Sequence, residues 1–167
     1  MSIRVFVTGG TFDKEYDELT GSLRFRNTHV SDMLRRGRSM LDVEVEVLMM
    51  IDSLDMLHSH RQQIVDACRR VPEAQIVITH GTDTMAETAV ALAAAVEGKT
   101  IVLTGAMVPY AFGSSDGLFN LGSALSFAQT LPEGVYLAMN GRYFRAGHVS
   151  KNRALGVFEE TSDQAED

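Results

Sequence analysis

The sequence predicts an α/β fold of three layers, a mostly parallel sheet with helices on both faces. Two observations predict it. Short runs rich in β-branched residues alternate with longer stretches of helical period. Most of those runs are apolar nearly throughout, as strands covered on both faces are. In chain order, residues 3–7, 43–51, 76–79, 101–104 and 135–139 read as strands, the second with alternating glutamates at its start. Between them, residues 29–38, 57–71, 84–96 and 118–131 read as helices. The second has Ile64, Ala67, Cys68 and Val71 near a 3.6 period. The third is rich in alanine. The fourth places Leu121, Ala124, Leu125 and Ala128 on one face. Right-handed crossovers then give a Rossmann- or flavodoxin-like arrangement. Residues 1–158 are expected to form one domain, and the acidic stretch 159–167 a frayed tail.

Bulk properties narrow the function. The 167 residues carry a net charge of −7, which argues against a nucleic-acid partner. Arg35, Arg36 and Arg38 read as the solvated face of a short helix. Cys68 is the single cysteine, so no intrachain disulfide is possible. It sits in a helical apolar pattern, where a small buried hydrophobe is expected. No apolar stretch is long enough to span a bilayer, and no secretory signal is visible. A cytoplasmic location without a membrane partner is the expectation.

In open α/β sheets, ligands bind beyond the carboxyl ends of the strands. There the sequence places Thr8-Gly9-Gly10-Thr11, Asp52-Ser53-Leu54-Asp55, His80-Gly81-Thr82-Asp83-Thr84 and Gly105-Ala106-Met107. Glycines let backbone N–H groups approach a ligand, and helix N-termini favour carboxylates. Thr11 and Thr82 offer hydroxyls able to attack a carbonyl once a base activates them. Asp83 adjoins Thr82, and a lysine of depressed pKa is a suitable relay partner. Neither the phosphate-loop nor the dinucleotide fingerprint is present. Thr84 and Glu87 also match a capping box, so residues 80–84 read equally as a helix entry. His58 and His60 lack the further ligands and spacing of a zinc site and read as surface histidines. His29 and His148 carry no signal alone.

Four ordered strings point further. TGGTF follows the first strand, then come ITHGTDTMAETA, IVLTGAM with SSDGLFNL, and AGHVSK. Together they resemble the amino-terminal domain of the L-asparaginase and glutaminase family, from about Ile3 to Phe158. The resemblance implies a hydrolase that releases ammonia from asparagine by threonine nucleophilic catalysis. Thr11 would be the nucleophile, with Tyr16 on a mobile loop sharing its proton. Thr82, Asp83 and Lys151 would form a second relay. Ser53, with the backbone of Asp52 and Leu54, would hold the α-carboxylate, and Asp83 the α-amino group. Gly10 and Gly81 would let backbone pass close to the substrate, and backbone near Ala106 would meet the side-chain amide. No metal or organic cofactor is implied.

Some features depart from the family pattern. Leu54 stands where glutamine is frequent, and Val108 where arginine is. The segment from Thr11 to Tyr16 is short, so Arg24, Phe25 or Arg26 could close the site instead. Family members carry a second domain that completes a neighbour's site, and the resemblance here ends near Phe158. Self-association as a homodimer or larger is therefore expected. So is a weak KM for asparagine, toward the millimolar end of the usual ~1 μM to ~1 mM range. A lost charge-assisted hydrogen bond is worth roughly 1.5–3 kcal/mol, and uniform binding losses raise KM while sparing kcat. Glutamine should be used more poorly still. Steady-state kinetics with both amides check this, and a low-micromolar KM would contradict it. Two other functions fit parts of the pattern. One is a non-catalytic module binding aspartate or asparagine. The other is a nucleoside glycosyl-transfer enzyme using Asp83 and Asp116 as paired carboxylates.

Overall fold

The computed structural model describes residues 2–161. Its centre is a six-stranded sheet. Strands β1 (Ser2–Gly9), β4 (Asp42–Ile51), β5 (Gln75–Thr79), β6 (Thr100–Thr104) and β7 (Gly134–Met139) run parallel. β8 (Arg142–Arg145) pairs antiparallel with β7 at one edge. The spatial order is β4-β1-β5-β6-β7-β8. β1 therefore lies between its first parallel partner, β4, and the later β5. The chain switches sides between β1 and β5, the place where a doubly wound sheet opens a crevice.

Alternation along the strands splits the core in two. On one face Ile3, Val5, Val7, Val77 and Val102 pack under α1 (Val30–Arg36) and α4 (Gly117–Thr130). On the other, Phe6, Ile76, Ile78, Ile101 and Leu103 pack under α2 (His58–Arg70) and α3 (Met85–Ala95). Cys68 is fully buried in this second layer, where burial pushes its thiol up to about 12. It behaves as the small hydrophobe its helical position predicts. β4 is an edge strand, so its glutamates face water and cations; Glu46 pairs with Arg70 at 2.7 Å. Arg35 and Arg36 lie exposed on α1, folded back onto Asp32.

Two small hairpins lie outside the predicted elements. β2 (Lys14–Asp17) pairs with β3 (Ser22–Phe25), and β9 (Val149–Asn152) with β10 (Val157–Glu160). The second corrects the expected tail: Glu159 and Glu160 belong to β10, opposite Ser150 and Val149. The rest of that stretch beyond Thr161 lies outside the described residues. The expected helix at 29–38 is shorter, because Gly37 and the left-handed Arg38 (φ 53°) end it. Among the described residues, no helix is long and apolar enough to cross a membrane.

Candidate active site

The loops after β1, β4, β5 and β6 share one sheet edge because these strands are parallel. Close backbone contact joins three of them. Gly10 has φ +75°, and a Cβ there would overlap the backbone of Gly81. A Cβ on Gly81 would in turn meet Cβ and Oγ of Ser53 at 2.6 Å. Glycine at both positions lets the β1, β4 and β5 loops touch. The β6 loop joins through the His80 N–H, which donates to the Thr104 carbonyl at 2.9 Å.

The centre of the cluster is Lys151. Its Nζ donates to Thr82 Oγ1 and to Asp83 Oδ1, both at 2.8 Å. The lysine comes from outside the main sheet. On β9, Val149 and Lys151 project to the same side, and Phe158 of β10 stands opposite Lys151. Val149 and Phe158 are buried in the α2–α3 core layer, so the hairpin is anchored and Lys151 is carried inward. Its side chain is only 12% exposed. Arg153, at 3.6 Å, is a second and more exposed cation beside Asp83.

Around this triad the other predicted residues fall as follows. Thr11 is half-buried directly after Gly10, at the start of a 3-10 turn, Thr11–Asp13. Tyr16 lies on β2, 57% exposed, and among the described residues it shares no hydrogen bond with Thr11. Arg24 closes the same hairpin onto buried Asp17 at 2.8 Å, and Arg26 lies near Glu15 at 3.7 Å. Phe25 lies under the Lys14 ammonium. The hairpin's base is fixed by Asp13, whose buried carboxylate accepts from the His29 N–H at 2.7 Å and from the Thr28 hydroxyl. Burial pushes the Asp13 carboxyl up from its ordinary value.

Ser53 is buried, Leu54 exposed and Ala106 buried. The Asp52 side chain accepts from the Leu54 N–H at 3.1 Å and from Lys14 Nζ at 2.5 Å. The bonded Lys14 ammonium holds the Asp52 carboxyl below its ordinary value. A carboxylate so shifted adds stability above its unfolded pKa of about 3.9 and loses it as pH falls through the folded value. Lys14→Met should therefore lower the urea midpoint at neutral pH, with the difference lost at acid pH once Asp52 is protonated in the folded chain as well. Equal differences at both pH values would contradict this.

Two sequence expectations are corrected. Thr84 is at the N-cap of α3, yet its side chain makes no cap bond. The hydroxyl donates instead to the Ser53 carbonyl at 2.8 Å, and Glu87 pairs with Arg61 at 2.9 Å. The incoming β4 loop outcompetes the helix end for that hydroxyl. The second is the carboxylate pair of Asp83 and Asp116: Asp116 stands at the N-cap of α4. Its carboxylate, however, accepts from the Met107 and Val108 N–H groups and from Asn120 Nδ2, each at 3.0 Å. With Asp83 bonded to Lys151 and Asp116 bonded to the β6 loop, the two are not a free pair to flank a sugar. His58 is exposed, and His60 Nδ1 accepts from the Leu57 N–H at 3.0 Å where α2 begins. Among the described residues, no group of three or more His, Cys, Asp or Glu is placed to hold a metal ion.

His80 is the site residue that the sequence did not single out. It is fully buried at the carboxyl end of β5. One ring nitrogen lies 2.7 Å from the Gly81 carbonyl and the other 2.8 Å from Thr88 Oγ1. Burial lowers its pKa to about 4, so it is neutral at pH 7.

The family model described as "Asparaginase, N-terminal" matches residues 2–162. L-asparaginase 1 of Escherichia coli is 34% identical over an alignment of 165 residues that covers 93% of this chain and 48% of that protein. A glutamyl-tRNA(Gln) amidotransferase subunit of Methanococcus vannielii is 35% identical over an alignment of 147 residues that covers 84% of this chain and 34% of that one. Among solved structures, the thermostable L-asparaginase of Thermococcus kodakarensis superposes with a TM-score of 0.85 at 30% identity, over 96% of this chain and 51% of that one. The chain spans about half the length, or less, of these relatives. With the family model matched along nearly the whole chain and the fold matched with it, the protein belongs to the asparaginase family, to which it corresponds as the amino-terminal domain.

Proposed function

We propose that the chain hydrolyses the side-chain amide of L-asparagine to L-aspartate and ammonia. The observation that carries this is the Lys151 contact to both Thr82 and Asp83, buried beside the crevice where the β1 and β5 loops meet. Thr11 Oγ attacks the amide carbon, with Tyr16 sharing its proton once the β2–β3 hairpin closes. The C–N bond breaks, and the nitrogen leaves as ammonia after taking up a proton. An aspartyl ester on Thr11 remains. In the second half, the proton of the attacking water moves through the Thr82–Lys151 relay to the departing Thr11 oxygen, and Asp83 holds Lys151 in place. Water cleaves the ester and restores the Thr11 hydroxyl. Ser53 and the backbone at Asp52 and Leu54 hold the α-carboxylate, Asp83 the α-amino group, and backbone at Gly10, Gly81 and Ala106 borders the amide. Self-association and poorer use of glutamine belong to the same proposal.

The test is ammonia and aspartate formation by the purified chain supplied with asparagine. Activity should survive dialysis against a chelator, because every proposed role is filled by a hydroxyl, carboxylate, amine or amide. Loss on chelation and recovery with zinc would replace the threonine mechanism. A second reading, a non-catalytic aspartate-binding module, is favoured by Tyr16, which stands exposed and unbonded to Thr11. It predicts aspartate binding without ammonia release.

A further inference from the structure

We propose that His80 is a positioning residue: by holding the Gly81 carbonyl inward, it aims the Thr82 backbone N–H into the crevice as a donor to the substrate's anionic oxygen. The tautomer follows from the partners. A carbonyl only accepts, so the nitrogen facing Gly81, Nδ1, carries the proton. Nε2 is then bare in the neutral ring and accepts from the Thr88 hydroxyl. That hydroxyl spends its one proton on His80, and its oxygen accepts from Arg61 Nε at 3.2 Å. Arg61 is itself fixed, donating to the Met56 carbonyl at 3.1 Å and to Glu87 at 2.9 Å. Thr88 and Arg61, from α3 and α2, thus anchor the side of the ring away from Gly81.

The consequence lies in the peptide plane. The Gly81 carbonyl and the Thr82 N–H belong to one peptide unit, and every described peptide is trans. A trans unit points its C=O and N–H in opposite directions. With the carbonyl bonded to the His80 ring, the Thr82 N–H points away from that ring. Among the described residues, no backbone or side-chain acceptor is bonded to it. The ring adds a hydrogen-bonded restraint on this peptide to the close contacts Gly81 makes with Gly10 and Ser53.

The kinetic part of the test rests on the amidohydrolase reading; the spectroscopic part does not. In the 15N-labelled full chain at neutral pH, the His80 ring should show a protonated Nδ1 and a bare Nε2. L-Aspartate, used as the probe, should shift the Thr82 and Ser53 amides together. In His80→Phe the Ser53 response should persist while the Thr82 response is lost. In His80→Asn, whose side-chain amide can donate to the Gly81 carbonyl, the Thr82 response should return. With asparagine, His80→Phe should lose about a hundredfold in kcat, the scale of one lost oxyanion donor, with KM little changed, and His80→Asn should recover most of it. A protonated Nε2, a wild-type Thr82 amide indifferent to aspartate, a Thr82 response kept in folded His80→Phe, or no recovery in folded His80→Asn would each overturn the proposal. A wild type that releases no ammonia yet loses the Thr82 response in His80→Phe supports the positioning role and removes the amidohydrolase reading.

Discussion

Thr11→Ala is expected to lower kcat for asparagine by roughly 10⁴-fold or more, the scale on which removal of a nucleophile acts. Alanine keeps Cβ and deletes only the attacking oxygen and a methyl group. Thr11 is half-buried on a loop, and the contacts that fix this loop belong to its neighbours. Gly10 packs on Gly81, and Asp13 is bonded to Thr28 and His29. The variant should therefore unfold within about 0.5 kcal/mol of the wild type, as substitutions away from packed or bonded positions do. Aspartate should still bind, because Ser53 and the Asp52 backbone are untouched. A folded Thr11→Ala protein with near-normal turnover would remove Thr11 as the nucleophile.

Lys151→Met is expected to cost about 10³-fold in kcat, within the range that a positioned proton-transfer group contributes. Methionine preserves the unbranched stem between Val149 and Phe158 and deletes the nitrogen that bonds Thr82 and Asp83. Arg153, at 3.6 Å from Asp83, would be left as its cation partner. That is enough to offset part of the lost charge pairing but places no proton acceptor at Thr82. Lys151→Arg should fail as well, since a guanidinium stays protonated at every working pH. Steady-state rates, with urea unfolding as the control for folding, check both variants.

Much of this arrangement was legible in the sequence, and the reasons differ from part to part. Four of the five parallel strands are short apolar runs, and burial on both faces leaves that mark directly; β4, at the edge, shows alternating glutamates instead. The two hairpins carry no such run. β2 is KEYD and β9 is VSKN, polar segments whose pairing is decided by what they pack against. Lys151 was visible as part of a motif, but the device that carries it inward, Phe158 opposite it across β10, was not. Thr84 and Glu87 matched a local capping rule that a contact from Ser53 overrode. His80 was in plain view between an apolar strand and Gly81, yet a sequence does not show which side of the chain a ring turns to. Its partner Thr88 lies 8 positions away on α3, and Arg61, which donates to Thr88, lies 19 positions away on α2.

Intact mass of the Lys151→Met chain, quenched in acid after mixing with asparagine, tests the division of labour between the two threonines most directly. With Thr11 attacking first and the Thr82–Lys151–Asp83 relay serving hydrolysis of the ester, the variant should release one equivalent of ammonia and gain one aspartyl group, located on Thr11 by fragmentation. An aspartyl group on Thr82, or an unmodified protein in a variant that still binds asparagine, would contradict it.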